Sequence, residues 1–172
     1  MLSSRPVFRP WVACGLLALT FACAADAAFH TTCSVQAQEA LRRINAARAH
    51  GQRCGWRTMP AAPPLRWDGT LQTVASRHSR DMAVRNYFDH KSPEGRTVTE
   101  RVKASPYKFQ LVGENLAGGD ANVASAIQGW IDSPGHCVNM MDPRFADVGV
   151  ACVGDRRGQW GTYWTMVLGR RR

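Results

Sequence analysis

Residues 147–169 read DVGVACVGDRRGQWGTYWTMVLG. On either side of GDRRGQ the chain alternates and is rich in β-branched and aromatic residues, as DVGVACV (147–153) and WGTYWTMVLG (160–169). That pattern predicts two antiparallel strands joined by a long turn. A third strand is predicted over LVGENLAGG, residues 111–119. Upstream of these strands the apolar residues recur at helical spacing instead. Helices first, then strands side by side, indicate an α+β layered domain with a small antiparallel sheet; a doubly wound parallel sheet would need strands and helices to alternate.

The helical segments carry their own boundary signals. Ser34–His50 holds Val35, Leu41, Ile44 and Ala47 near one stripe, with Arg42, Arg43 and Arg48 facing elsewhere and Gly51 as the stop. Prolines 60, 63 and 64 then force an extended connection. Asp68 is placed to cap a second helix running to Asn86, with Leu71, Val74, Ala75, His78 and Met82 along one face. Thr97-Val98-Thr99-Glu100 is a capping-box pattern opening a short third helix that Pro106 has ended. Asn122 caps a fourth, VASAIQGWIDS, with Val123, Ala126, Ile127 and Trp130 as its buried stripe. There is no internal repeat.

Residues 1–27 read as a secretory leader. Arg5 and Arg9 precede an apolar run from Trp11 to Cys23, and Ala25-Asp26-Ala27 has the small-x-small form of a cleavage site. The run is too short for a spanning helix. Lipid modification at Cys23 is the lesser alternative, because Thr20 stands where a leucine is usual. Of 172 residues, 145 then remain, enough for one domain with a real core: a lead-in over 28–36, the domain over 37–169 and a basic tail over 170–172, read as solvated. The expected location is the medium, the periplasm or the cell envelope.

Cys33, Cys54, Cys137 and Cys152 remain after the leader, and an even number in an exported chain implies two disulfides. Cys33 and Cys54 flank the first helix, whose ends stand about 25 Å apart, beyond the roughly 7 Å that a disulfide spans between Cα atoms. Two connectivities are left. Cys54–Cys137 with Cys33–Cys152 is the preferred one, stapling both ends of the first helix to the last third of the chain.

The net charge of +9 falls to +8 once the leader's two arginines and one aspartate are removed. The arginines are scattered singly or in pairs and no aromatic-interleaved basic motif is present, so nucleic acid is not an expected partner. Anionic lipid headgroups or acidic envelope polymers suit an exported basic surface better, with peripheral membrane contact and a monomeric state.

Three residues stand out chemically. His90 in NYFDH and His136 in SPGH each follow a helix, in a stretch dense with turn residues. Glu114 lies between glycine and asparagine at the start of an apolar strand, an awkward place for a charge unless it faces a groove or a partner. Two imidazoles and a carboxylate form a plausible divalent-cation set. Their separations of 24 and 22 residues carry no compact metal signature. A hydrogen-bonded network that only fixes loops is the plainer reading. His136 adjoins Cys137, but an oxidised thiol is no nucleophile, so Cys137 is read as structural. His78, on an apolar helix face, is read as a core histidine.

NYFDH, GENLA, GWIDSPGH, DVGVAC and GTYWTMVLG together, in this order from about Ala37 to Leu168, resemble the bacterial branch of the CAP superfamily: cysteine-rich secretory proteins, antigen-five proteins and plant pathogenesis-related proteins, also called SCP domains. The resemblance implies an α-β-α sandwich with a three-stranded antiparallel sheet between helical layers. It also implies a cleft lined by two histidines and two acidic residues that in some members bind a cation. His90, Glu114 and His136 match three of the four positions; the fourth, three residues after Trp130, is Ser133, with Asp132 adjacent as a substitute only if the helix end rotates. The expected function is an exported binding module whose cleft takes a lipid or small apolar ligand, or an envelope partner. Zinc or another divalent cation is an optional occupant of His90, Glu114 and His136, and no catalytic residue is assigned. The alternative is a metal-dependent peptidase or esterase in which Glu114 serves as general base.

Overall fold

A computed structural model describes residues 30, 31, 33, 35–155 and 157–172, with the side chains of 30 and 31 left aside. The expected leader and Cys23 lie outside the described residues. Among the described residues twelve elements follow one another: β1 (His30–Thr31), α1 (Ala37–Arg48), β2 (Gln52–Cys54), β3 (Arg57–Met59), β4 (Arg66–Trp67), α2 (Gly69–Arg85), α3 (Val98–Lys103), β5 (Phe109–Gly118), α4 (Val123–Asp132), α5 (Pro134–Met140), β6 (Asp147–Asp155) and β7 (Thr162–Arg171). No helix among the described residues is long and apolar enough to cross a membrane.

The three predicted strands are the long ones, in the antiparallel order β6-β7-β5. Two short strands that the sequence pattern did not reveal complete the sheet by pairing with the outer edge of β6: β1 antiparallel and β4 parallel. They cover an edge that would otherwise be free to pair with another chain. The sheet is buried on both sides, and alternation sorts its side chains. Val148, Val150, Cys152, Trp164, Met166 and Leu168 join the cluster containing Ile44 of α1 and Trp130 of α4. Ala151 and Val167 pack with Leu71, Val74 and Ala75 of α2, while Val153 and Tyr163 pack with Met82 further along the same helix. The result is the expected α-β-α sandwich.

Helix α2 lies close on the sheet because Gly149 leaves room. A Cβ there would collide with the backbone of Leu71 and Gln72. The helix boundaries follow their local chemistry. Asp68 accepts from the Thr70 and Leu71 amides, and Asn86 closes α2 in the left-handed region at φ 50°. Thr97 and Glu100 form the reciprocal capping box of α3, and Asn122 caps α4.

Both disulfides form in the preferred connectivity, Cys33–Cys152 and Cys54–Cys137, with Cα separations of 5.5 and 5.3 Å. Two expectations about arginines change. Arg48 does not face solvent: it is fully buried, and its guanidinium donates to the carbonyls of Pro63, Met140 and Asp142. Buried carbonyls beyond helix ends and along a proline-rich segment need donors, and Arg48 supplies three hydrogen bonds to them. Arg170 and Arg171 extend β7 instead of trailing from it. Arg171 pairs with Asp68 at 2.5 Å and its guanidinium sits 4.5 Å from the centre of the Tyr107 ring.

Candidate functional site

Strand β5 forms one edge of the sheet, and its GEN segment sends successive side chains to opposite faces. Glu114 stands opposite Val167, so its carboxylate points toward the α2 and α3 layer. Asn115 stands opposite Met166 and points toward the other layer. There it donates to the His136 carbonyl at 3.0 Å and accepts from Asn139 at 2.8 Å, so β5 holds α5 directly. Gly113 makes that approach possible, because a Cβ would stand 2.7 Å from the Phe145 ring and 2.8 Å from Asn139 Oδ1.

His136 is therefore not in a loop. Ser133 separates α4 from α5, Pro134 opens α5 as its first residue, and His136 sits in that seven-residue helix beside Cys137. His90 reaches the same region from the segment after α2. Its Nδ1–H donates to Glu114 Oε1 at 2.8 Å, and its side chain remains 56% exposed. That hydrogen bond raises the His90 pKa above the ordinary imidazole value, against the opposing effect of burial. His136 moves the other way, lowered by burial and then by the nearby charge of His90. The charge of His90 is thus felt at His136, whose backbone carbonyl is held by Asn115, next to Glu114 on β5.

Glu114 has a partner on each oxygen. Arg101 of α3 donates from Nη2 to Oε2 at 2.6 Å, with the carboxylate 2% and the guanidinium 11% exposed. Arg101 also donates to the carbonyls of His90 and Arg96, fixing the loop that carries His90. His78 lies below, its Nε2 3.9 Å from Glu114 Oε1 and 3.0 Å from the Asp89 carbonyl. Burial lowers its pKa, and the charge of Glu114 only partly offsets this. Asp132 does not join the group: it is exposed on α4 and accepts from Gln128 at 2.9 Å.

The sequence pattern thus indicates His90 and Glu114, which touch, and His136, which is near. It misses the parts played by Arg101, Asn115 and Asn139, while His78 is the buried, hydrogen-bonded core histidine that its helix face implies. A glutamate in an apolar strand implies a buried counter-charge, which is the signal that could have pointed to a cation such as Arg101.

This arrangement leaves Glu114 without an unengaged oxygen to give the three-donor cation set. Both Glu114 oxygens are occupied, one by a guanidinium that already neutralises the carboxylate. Ser133 replaces the fourth acid. Among the described residues no three His, Cys, Asp or Glu side chains are grouped as a metal would require. What remains is a pair of imidazoles, fewer than the three or four protein ligands of ordinary zinc sites. Glu114 is also poorly placed to act as a general base while its two oxygens hold His90 and Arg101.

Residues 41–168 match the model of the cysteine-rich secretory protein family, CAP. The Bacillus subtilis protein YkwD is 34% identical over 102 residues, covering 59% of this chain and 38% of that protein. An extracellular SCP-domain protein from Bacillus anthracis superimposes with a TM-score of 0.64 at 32% identity, over 78% of this chain and 40% of that one. An outer surface protein from Borrelia burgdorferi gives a TM-score of 0.63 at 18% identity, over 83% of this chain and the whole of that one, which shows a shared fold. The chain spans about two-fifths of the length of its two Bacillus relatives.

Proposed function

We propose, from the premise that this chain belongs to the cysteine-rich secretory protein (CAP) family, that it is exported and acts as a module binding a lipid-like amphiphile, not as an enzyme. The observation that carries this is the state of Glu114. Its carboxylate is sealed between His90 and Arg101, and all four described cysteines are in disulfides. The site is therefore built to hold a fixed pattern of charge, which serves recognition, and offers neither a free thiolate nor a free carboxylate base. Two disulfides suit an oxidising compartment outside the cytoplasm.

The surface next to the cluster supports an amphiphile. Cys137, beside His136, is bonded to Cys54 at the end of β2, and the β2–β3 turn that follows carries Trp56, 87% exposed. The Arg57 guanidinium lies 5.3 Å from the centre of that indole. A solvent-facing tryptophan among arginines matches the apolar and anionic parts of a bilayer interface.

The test is flotation of the oxidised protein with vesicles of phosphatidylglycerol and phosphatidylcholine, beside native mass spectrometry of protein recovered from membranes. Flotation with the anionic vesicles, weakened in Trp56→Ala, and a co-purifying lipid are expected. Absence of both would reject the reading, and specific co-purification of an envelope protein would replace the lipid with that partner.

A further inference from the structure

On the far side of Arg101 lies a cavity of about 280 Å³ between α2, α3 and the loop joining them. One face of α2 contributes Val74, Arg77, His78 and Asp81, while Arg96 comes from the loop and Arg101 from α3. Three guanidinium groups thus line the cavity beside one carboxylate; Arg101 also pairs with Glu114, and Asp81 is already engaged by the Tyr87 hydroxyl at 2.6 Å and by Arg85 at 3.5 Å. Arg77 has no hydrogen-bond or ion-pair partner among the described residues. Arg96 is 63% exposed and only 3.7 Å from Glu94.

Two buried polar atoms of residues that line this cavity also lack hydrogen-bond partners among the described residues: Arg101 Nε and His78 Nδ1. The first is a donor. The second is an acceptor, as its surroundings require. The Asp89 carbonyl 3.0 Å from His78 Nε2 requires a proton on Nε2. The ring is 1% exposed and burial disfavours its protonation, and in the neutral ring with its proton on Nε2 the lone pair is on Nδ1. An unmet buried donor or acceptor costs about 1–3 kcal/mol, so an occupant satisfying both would be favoured.

We propose that this cavity is a binding site for a phosphate monoester, whose anionic oxygens take the guanidinium donors of Arg77, Arg96 and Arg101 and whose remaining P–OH donates to His78 Nδ1. Guanidinium groups match phosphate oxygens in charge and geometry. The second phosphate pKa is near 6, so a monoester retains that proton for much of the time under mildly acidic conditions, whereas sulfate has none to give. Sites that hydrogen-bond a ligand hydroxyl discriminate strongly against analogues lacking it. The ester group can belong to a soluble metabolite or to a lipid headgroup, and neither source depends on what the His90 and His136 face binds.

Calorimetry of the oxidised protein at pH about 6, near that second pKa, would use inorganic phosphate, sulfate and glycerol 3-phosphate as probes. Saturable one-to-one phosphate binding is expected, weakened about tenfold or more both with sulfate and in Arg77→Gln/Arg96→Gln. Because His78 is buried and its replacement could unfold the protein, the His78 Nδ1 nitrogen resonance is followed instead, and it should move on phosphate addition. Vesicles containing phosphatidic acid distinguish the sources: competition between them and phosphate assigns a lipid headgroup, and glycerol 3-phosphate binding without vesicle binding assigns a soluble ester. Equal weak responses to phosphate and sulfate, unchanged in the double variant, would mean a general counterion effect and overturn the proposal. So would a stationary His78 resonance.

Discussion

Replacing Arg101 with methionine tests the central contact of the site. The substitution keeps much of the apolar stem but removes the charge 2.6 Å from Glu114 Oε2, in a pair whose members are 2% and 11% exposed. It also removes the donors to the His90 and Arg96 carbonyls. An exposed ion pair would be worth at most about 1 kcal/mol. Here the remaining carboxylate would be left buried with only the His90 hydrogen bond on its other oxygen, and breaking a buried pair costs about 3–5 kcal/mol. With a urea m-value of about 2 kcal/mol/M, the unfolding midpoint should fall by about 2 M. The assay is urea denaturation of the oxidised protein at neutral pH, followed by circular dichroism. Adding Glu114→Gln to Arg101→Met removes the stranded charge and should restore part of the loss, giving a coupling energy of about 1–3 kcal/mol. A loss below about 1 kcal/mol, or strict additivity in the double variant, would refute the claim that Arg101 and Glu114 act as a buried pair.

Stability should also depend on pH through the histidines, in opposite senses. His90 has a raised folded-state pKa, so its stabilising contribution is complete below the ordinary value of 6.5 and fades as pH rises through the folded value. The stability difference between the parent and His90→Gln should therefore shrink from mildly acidic to mildly alkaline pH; a flat difference would contradict the assignment. His78 and His136 have lowered values, so their contribution is present above 6.5 and is lost as pH falls through their folded values. Gly149→Ala should destabilise by about 3 kcal/mol, because the new methyl would meet the α2 backbone and not a movable side chain; a thermal midpoint within a degree of the parent would disprove the close packing. Zinc calorimetry should show only weak binding, since two imidazoles remain available. Tight one-to-one binding lost in His90→Ala/His136→Ala would restore the predicted cation site.

Much of the fold was legible because its signals are local. Asp68, Asn86, Thr97 and Asn122 mark helix ends through hydrogen bonds to backbone only a few residues away, and each acts where the sequence places it. The period of two in residues 147–169 and 111–119 identifies the three long strands, since alternation is a property of each strand by itself. Even the disulfide choice follows partly from local geometry, because helix length excludes one pairing.

What tertiary structure decided is where nonlocal partners meet. Strands β1 and β4 have only two residues each and exist because the edge of β6 offers them hydrogen bonds. Helix α5 has a clear local start at Pro134, but its position depends on Asn115, 21 residues before the His136 carbonyl that it holds. Arg48 and Arg101 look like surface charges in the sequence, yet one serves buried carbonyls and the other a buried carboxylate. Sequence periodicity records which face of an element is apolar. It does not record which charge on a distant element will be close enough to compensate a buried group, and that proximity sets the Arg101 guanidinium against the Glu114 carboxylate.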